Sequence, residues 1–127
     1  MNIRSLNANH SKLLQLMITL DFNFDAIILS EIWAYNISTY QNLFPNYNFK
    51  YVLPENSSIG GVGAYIHNSF TFTEREDLKL NCTAIDNSAE SLFLKLSKNN
   101  YHYIICCVYC HPNHNISKFT HSLETIL

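Results

Sequence analysis

Charged residues, glycine and proline are all scarce in this sequence. Only 14% of its 127 residues are charged, and it contains three glycines and three prolines. Disordered chains and flexible linkers have the opposite composition, and no repeat or low-complexity segment is present, so both are excluded for the chain as a whole. Instead, 47% of the residues are hydrophobic, with eight phenylalanines and eight tyrosines, which predicts one globular domain.

A strong net charge and a long hydrophobic run are also missing. The formal net charge is −2, so a nucleic-acid partner would require a local cationic patch or a bound divalent cation. The N-terminal stretch KLLQLMITL is interrupted by Gln15 and Thr19 and is followed by Asp21, not by a cleavage site. We therefore expect a protein that neither spans a membrane nor is secreted, and whose four cysteines are thiols.

The N-terminal third predicts a helix that leads into a buried strand. Apolar residues at Leu13, Leu16, Met17 and Leu20 share one helical face, so a helix is expected from residue 10 to 20, capped by Asn9 or Ser11. The run DAIILSEIW is almost wholly apolar, which predicts a strand buried on both faces that ends near residue 30 or 31. A helix followed by such a strand indicates layered α/β architecture.

The remaining chain predicts strands and a closing helix. Strands are expected in YNFKYVL, in residues 62–67, and in a hairpin of SLFLKLS and YHYIICCVY joined at residues 98–100, with a short helix at residues 38–44. Asn115 can cap a last helix whose apolar residues Phe119, Leu123, Ile126 and Leu127 share one face. This helix is still apolar at Leu127, so we expect the sequence to be part of a larger unit.

A cluster of cysteine and histidine near the end of the hairpin leaves three interpretations open. Cys107, Cys110 and His111 have the C-x-x-C-H spacing of haem attachment, and with His114 they form a set of four zinc ligands. Alternatively, the cysteines pack within a strand and the histidines lie on a surface loop. Strand alternation places Cys106 and Cys107 on opposite faces, which favours packing.

Three dispersed residues have side chains suited to phosphate chemistry. Glu31 follows an apolar strand, and a carboxylate at that edge of a sheet is a suitable oxygen ligand for Mg²⁺. The amide of Asn2 can orient a phosphate or a ligand carboxylate. Tyr109, at another strand end, can donate a hydrogen bond to a phosphate oxygen. On spacing alone, an ordinary surface or packing role is favoured for Glu31 and Tyr109, and Asn2 by itself is uninformative.

Six sequence blocks that contain or surround these residues occur in an order that resembles a known superfamily. The blocks are NIRSL, the first helix, DAIILSEIW, GGVGAYIHNS, AESLFLKL and VYCHPNHNISKFTHSLETIL. In this order and spacing the chain resembles the N-terminal part of the endonuclease/exonuclease/phosphatase superfamily. It looks most like the apurinic-endonuclease-like domain of non-LTR (LINE, jockey-like) retrotransposons, and the resemblance covers nearly all of the sequence.

The resemblance implies a fold and a reaction. The fold is of the α/β (α+β) class, the N-terminal half of a four-layer sandwich, for which this length suggests one mixed sheet with flanking helices. The reaction is Mg²⁺-dependent (or Mn²⁺-dependent) hydrolysis of DNA phosphodiester bonds, in a parent element that also carries a reverse transcriptase and acts in the nucleus. By resemblance, Asn2 helps hold the metal and the phosphate, Glu31 binds the metal, and Tyr109 contacts the scissile phosphate. Glycines 60, 61 and 63 would permit a tight turn and close approach of the backbone.

The sequence departs from the family pattern in two ways. YCHP replaces the usual basic residue and double proline, with His111 at the first proline position. The Gly-Asp-x-Asn and Ser-Asp-His blocks of the second half, which supply the acid that activates water and the catalytic histidine, do not occur in these 127 residues. We therefore expect the chain alone to be inactive. The alternatives are a non-catalytic zinc or thiol module and a phosphatase of the same superfamily.

Overall fold

The structure, a computed structural model, describes residues 1–54, 59–79, 89–112 and 115–126. Within these residues the helices are α1 (Leu6–Leu20) and α2 (Ile116–Ile126). The strands are β1 (Ala26–Ser30), β2 (Tyr47–Val52), β3 (Val62–His67), β4 (Thr71–Glu74), β5 (Ala89–Lys98) and β6 (Tyr101–Cys110). Short 3₁₀ helices occupy Ile37–Tyr40 and Glu76–Leu78. None of the described helices is long and apolar enough to cross a membrane.

Helix α1 begins earlier than the sequence predicts. Its N-cap is Ser5, whose hydroxyl accepts a hydrogen bond from the backbone N–H of Ala8, so the expected cap at Asn9 or Ser11 was wrong. The helix ends at Asp21, which adopts the left-handed conformation with φ of 45°. Starting at Leu6 adds a further buried residue to the face that carries Leu13, and this burial favours the longer helix.

The strands form two three-stranded antiparallel sheets with the orders β1-β3-β2 and β4-β5-β6. The predicted hairpin is confirmed, since β5 and β6 pair without interruption from Ala89 opposite Cys110 to Lys98 opposite Tyr101. Its loop is only Asn99 and Asn100, both with positive φ, as a tight two-residue hairpin turn requires. The predicted α2 is also confirmed, because the Asn115 side chain accepts hydrogen bonds from the N–H groups of Ser117 and Lys118.

The two sheets lie face to face between the two helices. One core cluster joins α1 to the first sheet, a second lies between the sheets, and a third joins β5 and β6 to α2. The middle cluster contains Val62, Ala64 and Ile66 from β3 together with Leu92 and Leu94 from β5. The α+β class and the four layers are therefore confirmed.

The expectation of one mixed sheet was wrong. Strand β3 explains why a second sheet is required, because it is buried on both faces. Its Tyr65 packs toward α1, while its neighbours Ala64 and Ile66 pack against the other sheet. A strand that is apolar on both faces needs a layer on each side. This chain provides part of both sheets instead of one complete sheet.

The topology brings four strand ends to one end of the sandwich. Ser30 at the end of β1 pairs with Val62 at the start of β3, and Glu90 at the start of β5 pairs with Tyr109 near the end of β6. A hydrogen bond from the Gly61 N–H to the Glu90 carboxylate joins the two sheets there. Side chains that are distant in sequence therefore meet at this end.

Candidate functional site

The amide of Asn2 holds the carboxylate of Glu31. The Asn2 Nδ2 donates a hydrogen bond of 2.8 Å to Glu31 Oε1, and its Oδ1 accepts one of 3.1 Å from the Arg4 N–H. The backbone around Asn2 is fixed because Ser30 donates to the Met1 carbonyl and accepts from the Ile3 N–H. Two residues that are 29 positions apart therefore form one rigid pair.

Glu31 itself lies in a strained conformation. Its φ is +57°, in the left-handed region that residues with a Cβ seldom adopt. The surrounding structure enforces this geometry, since the Glu31 carbonyl accepts a 2.8 Å hydrogen bond from the Ser5 N–H. Strained backbone conformations of this kind are concentrated at functional sites. There they place a side chain in a direction that regular strand geometry would not allow.

Tyr109 lies beside the Glu31 carboxylate. Burial, followed by the negative charge of Glu31 and a hydrogen bond to its side chain, raises the pKa of the Tyr109 hydroxyl, and the charge of Glu90 acts in the same direction. The hydroxyl is therefore protonated at neutral pH and available as a hydrogen-bond donor. The fold thus brings together Asn2, Glu31 and Tyr109, the three residues that the resemblance implied.

Glu90 and His111 belong to the same cluster; the sequence reasoning missed Glu90 and considered His111 only as a haem or zinc ligand and as the replacement of a proline. The His111 Nε2 lies 2.7 Å from Glu90 Oε1, while Glu90 Oε2 accepts a 3.1 Å hydrogen bond from the Gly61 N–H. Only 4% of the Glu90 side chain is exposed, compared with 16% for His111. The His111 ring contacts the Tyr109 ring edge-on at 5.0 Å between centroids. His111 therefore connects the buried acid to the candidate phosphate contact.

A sequence signal for Glu90 was present. Glu90, Leu92, Leu94 and Leu96 alternate along β5 and share the face that packs against the first sheet. A carboxylate on the apolar face of a strand is rare without a partner, because its burial costs several kcal/mol. The pattern therefore indicated a buried ionisable group. Nothing in the sequence indicated that its partner would be His111.

Two glycines allow the loop before β3 to lie against this cluster. Gly60 and Gly61 have φ of +117° and +84°, and a Cβ at Gly60 would lie 2.8 Å from the His111 Cε1. A Cβ at Gly61 would lie 2.8 Å from the Ile32 Cγ1. Their carbonyls accept hydrogen bonds from the Trp33 and Ile32 N–H groups respectively. The close backbone approach expected from GGVG therefore occurs at both positions.

The donor set at this end fits part of a magnesium site. The Glu31 carboxylate and the Asn2 amide provide hard oxygen atoms, and Mg²⁺ is commonly held by one or two protein carboxylates with water and substrate oxygens completing its shell. Among the described residues, no group of three or more His, Cys, Asp or Glu side chains is arranged to hold a metal. The pair would therefore supply only part of a coordination shell.

Cys107 and Cys110 do not form a metal or haem site together. Cys107 is buried between the sheets, and burial raises the pKa of its thiol to about 12. Cys110 packs on the opposite face of β6, toward α2. Two thiols on opposite faces of one strand cannot bind the same ion, so neither the C-x-x-C-H spacing nor the zinc set is realised by these two residues. The fourth zinc candidate, His114, lies outside the described residues.

A groove beside Asn2 carries positive charge. It has a volume of about 290 Å³ and lies between the N-terminal segment and α1, lined by Asn2, Arg4, Asn9 and Lys12 among others. The two cations give this region a local positive charge that the net charge of −2 conceals.

Comparison with solved structures finds a similar fold. The chain is similar to the endonuclease domain of TRAS1, a telomere-specific non-LTR retrotransposon, with a TM-score of 0.71 and 8% sequence identity. The fold is endonuclease-like. The match covers 100% of this chain and 51% of the TRAS1 domain, so the chain spans about half the length of that domain. No protein-family model and no curated protein sequence matches. At 8% identity the similarity establishes the fold alone.

Proposed function

We propose that this chain is the N-terminal half of a metal-dependent nuclease domain of the non-LTR retrotransposon type, acting on DNA phosphodiester bonds. The observation that carries the proposal is the arrangement of Glu31 between Asn2 and Tyr109, at one end of an endonuclease-like sandwich. These are the residue types and positions that the sequence resemblance implied. Fold and side chains thus support the same conclusion by separate routes.

Glu31 and Asn2 would hold the metal. Glu31 offers a carboxylate whose orientation is fixed by the Asn2 amide, and this fixed orientation reduces the entropy lost when an ion is bound. Mg²⁺ or Mn²⁺ in this position would polarise the phosphate and stabilise the leaving oxygen.

Tyr109 and the cationic groove would position the DNA. The Tyr109 hydroxyl, which lies beside Glu31, would donate a hydrogen bond to a nonbridging phosphate oxygen. Arg4 and Lys12 would contact neighbouring phosphates of the same strand, which gives affinity without base specificity. An extended substrate would use both the site and the groove, which favours DNA over a small phosphoester.

The group that activates water would come from outside this chain. By the resemblance, the catalytic histidine belongs to the Ser-Asp-His block and not to the position of His111, whose Nε2 is paired with Glu90. The Gly-Asp-x-Asn and Ser-Asp-His blocks do not occur in the sequence. The chain is expected to bind metal and DNA but not to cleave.

Metal-dependent DNA binding tests this proposal. A fluorescently labelled duplex should bind the protein more tightly in Mg²⁺ than in EDTA, and Glu31→Gln should abolish that difference. The matched control is Glu76→Gln, an exposed acid outside the site. A nicking assay on supercoiled plasmid should show no activity above that of Glu31→Gln. Equal binding with and without metal, or stronger inhibition of binding by a small phosphomonoester than by unlabelled duplex, would refute a DNA-nuclease site.

A further inference from the structure

The ring of Tyr109 is contacted by the histidine that follows it by two positions. The Tyr109 and His111 rings meet edge-on, with 5.0 Å between centroids and 75° between their planes, which is a favourable geometry for a ring pair. Cys110, between them, packs on the other face of β6 toward α2, as strand alternation requires. His111 therefore lies on the same side as Tyr109, whose ring packs against the core between the sheets.

Two further contacts fix the imidazole of His111. Its Nε2 lies 2.7 Å from Glu90 Oε1, and Glu90 is the direct cross-strand partner of Tyr109 in the pairing of β5 with β6. The ring also lies against the backbone at Gly60, since a Cβ there would be 2.8 Å from the His111 Cε1. Glu90 is itself held by a 3.1 Å hydrogen bond from the Gly61 N–H. The imidazole is therefore fixed beside the Tyr109 ring.

We propose that His111 is a positioning residue for Tyr109: anchored by Glu90, it holds the tyrosine ring so that the hydroxyl stays beside Glu31. The role depends on the proposed function, in which the Tyr109 hydroxyl contacts a phosphate. A tyrosine near a strand end can adopt several χ1 rotamers, and those that turn the hydroxyl away from Glu31 must be given up when DNA binds. A ring that is already held loses less conformational entropy on binding. His111 would thus raise the affinity for DNA without touching the phosphate.

A purely structural role for the contact between Glu90 and His111 makes a different prediction. Loss of His111 would then disturb the whole end of the sandwich and weaken DNA binding whether or not residue 109 carries a hydroxyl. A positioning role acts only through that hydroxyl, so its effect disappears once the hydroxyl is removed. Substitutions at both positions, made singly and together, therefore separate the two roles.

A double-mutant cycle on duplex binding in Mg²⁺ tests the proposal. His111→Gln keeps an amide that can donate to Glu90 but removes the ring, so it should weaken binding of a labelled duplex about three- to tenfold. In a Tyr109→Phe background the same change should have no further effect. His102→Gln, at the other end of β6, is the matched control and should bind as the wild type does. If His111→Gln does not fold, judged by its circular dichroism, His111→Leu combined with Glu90→Gln takes its place, because this pair removes the ring and the buried charge together.

Nuclear magnetic resonance gives a second readout that needs no DNA. Scalar couplings between the backbone and the Tyr109 Cγ report χ1, and they should indicate a single rotamer in the wild type and an average of rotamers in His111→Gln. An unchanged rotamer in His111→Gln would overturn the proposal, and so would equal weakening of DNA binding by His111→Gln in both backgrounds.

The Tyr109→Phe variant separates this proposal from the proposed function. If Tyr109→Phe weakens DNA binding while His111→Gln does not, the phosphate contact stands and positioning by His111 is overturned. If Tyr109→Phe binds as tightly as the wild type, the phosphate contact itself is contradicted, and the positioning role falls with it.

Discussion

The Nε2 of His111 lies 2.7 Å from Oε1 of Glu90, and this contact joins the end of β6 to the buried start of β5. His111 occupies the position where the resembling family has proline, and the preceding basic residue of that pattern is Cys110 here. The histidine that departs from the family pattern therefore has a structural role. Its imidazole is the partner of the Glu90 carboxylate, whose side chain is only 4% exposed. The loop is anchored by a side-chain contact in place of proline rigidity.

The first prediction concerns Glu90. Replacing Glu90 with Ala leaves His111 without its carboxylate partner and the buried Gly61 N–H without an acceptor, so we expect a loss of about 3 kcal/mol in the free energy of unfolding. Chemical denaturation measures this. The control Glu76→Ala, at an exposed acid, should change stability by less than about 0.5 kcal/mol. Equal effects of the two substitutions would show that the buried pair contributes nothing specific.

The second prediction tests whether His111 replaces the family proline. Restoring the family residue with His111→Pro removes the donor to Glu90, so stability should fall by about 2 kcal/mol or more despite the stiffer loop. Combining this change with Glu90→Gln, which removes the buried charge, should recover part of the loss. A His111→Pro protein that is as stable as the wild type would mean that the Glu90 carboxylate does not need its histidine partner.

The third prediction concerns thiol reactivity and alkaline pH. Cys106 is exposed and Cys107 is buried with its pKa raised from 9.0 to about 12, so a thiol reagent at mildly alkaline pH should label Cys106 in the native protein and spare Cys107. Peptide mass spectrometry locates the label. Because the folded pKa of Cys107 is above the unfolded one, its contribution to stability is complete below pH 9 and is lost as pH rises toward 12. Equal labelling of both thiols in the folded protein would contradict the packing of β6.

The fourth prediction concerns the cationic groove. Replacing Arg4 and Lys12 with Gln should weaken duplex binding at low salt and reduce the slope of log affinity against log salt by about 1 to 2. The loss should be the same for unrelated DNA sequences, since phosphate contacts carry no base information. Lys79→Gln, at an exposed lysine outside the groove, provides the control. An unchanged salt slope in the double variant would place the DNA elsewhere.

Elements with a strong local pattern could be predicted from the sequence, whereas short exposed strands and contacts between layers could not. The hairpin of β5 and β6 has alternating apolar residues and an Asn-Asn turn, so local signals suffice for its prediction. Strand β4 was missed because it has four mostly exposed residues and no strong apolar pattern. The second sheet was missed because a periodicity does not show which strands pack across layers, as β3 and β5 do through the core cluster that contains Ile66 and Leu94.

In the candidate site, too, some features follow from local sequence and others only from the fold. The position of Glu31 after an apolar strand could be predicted from the local pattern, whereas its proximity to Asn2 and Tyr109 was suggested only by the order of the family blocks. The pairing of Glu90 with His111 is a contact between a strand and a loop 21 residues apart, set by the approach of Gly60 and Gly61. Neither spacing nor composition encodes such an approach. A buried acid could have been inferred from the sequence, but its partner required the fold.

The metal-binding role of Glu31 is the central claim, and a titration with Mn²⁺ followed by electron paramagnetic resonance tests it most directly. Mn²⁺ serves as the probe because its free and bound forms give different signals. Wild type and the Glu76→Gln control should bind the ion alike, Asn2→Ala should bind about tenfold more weakly because the carboxylate loses its orienting amide, and Glu31→Gln should lose the site. If Glu31→Gln binds Mn²⁺ as tightly as the wild type, Glu31 is not a metal ligand and the nuclease assignment is contradicted.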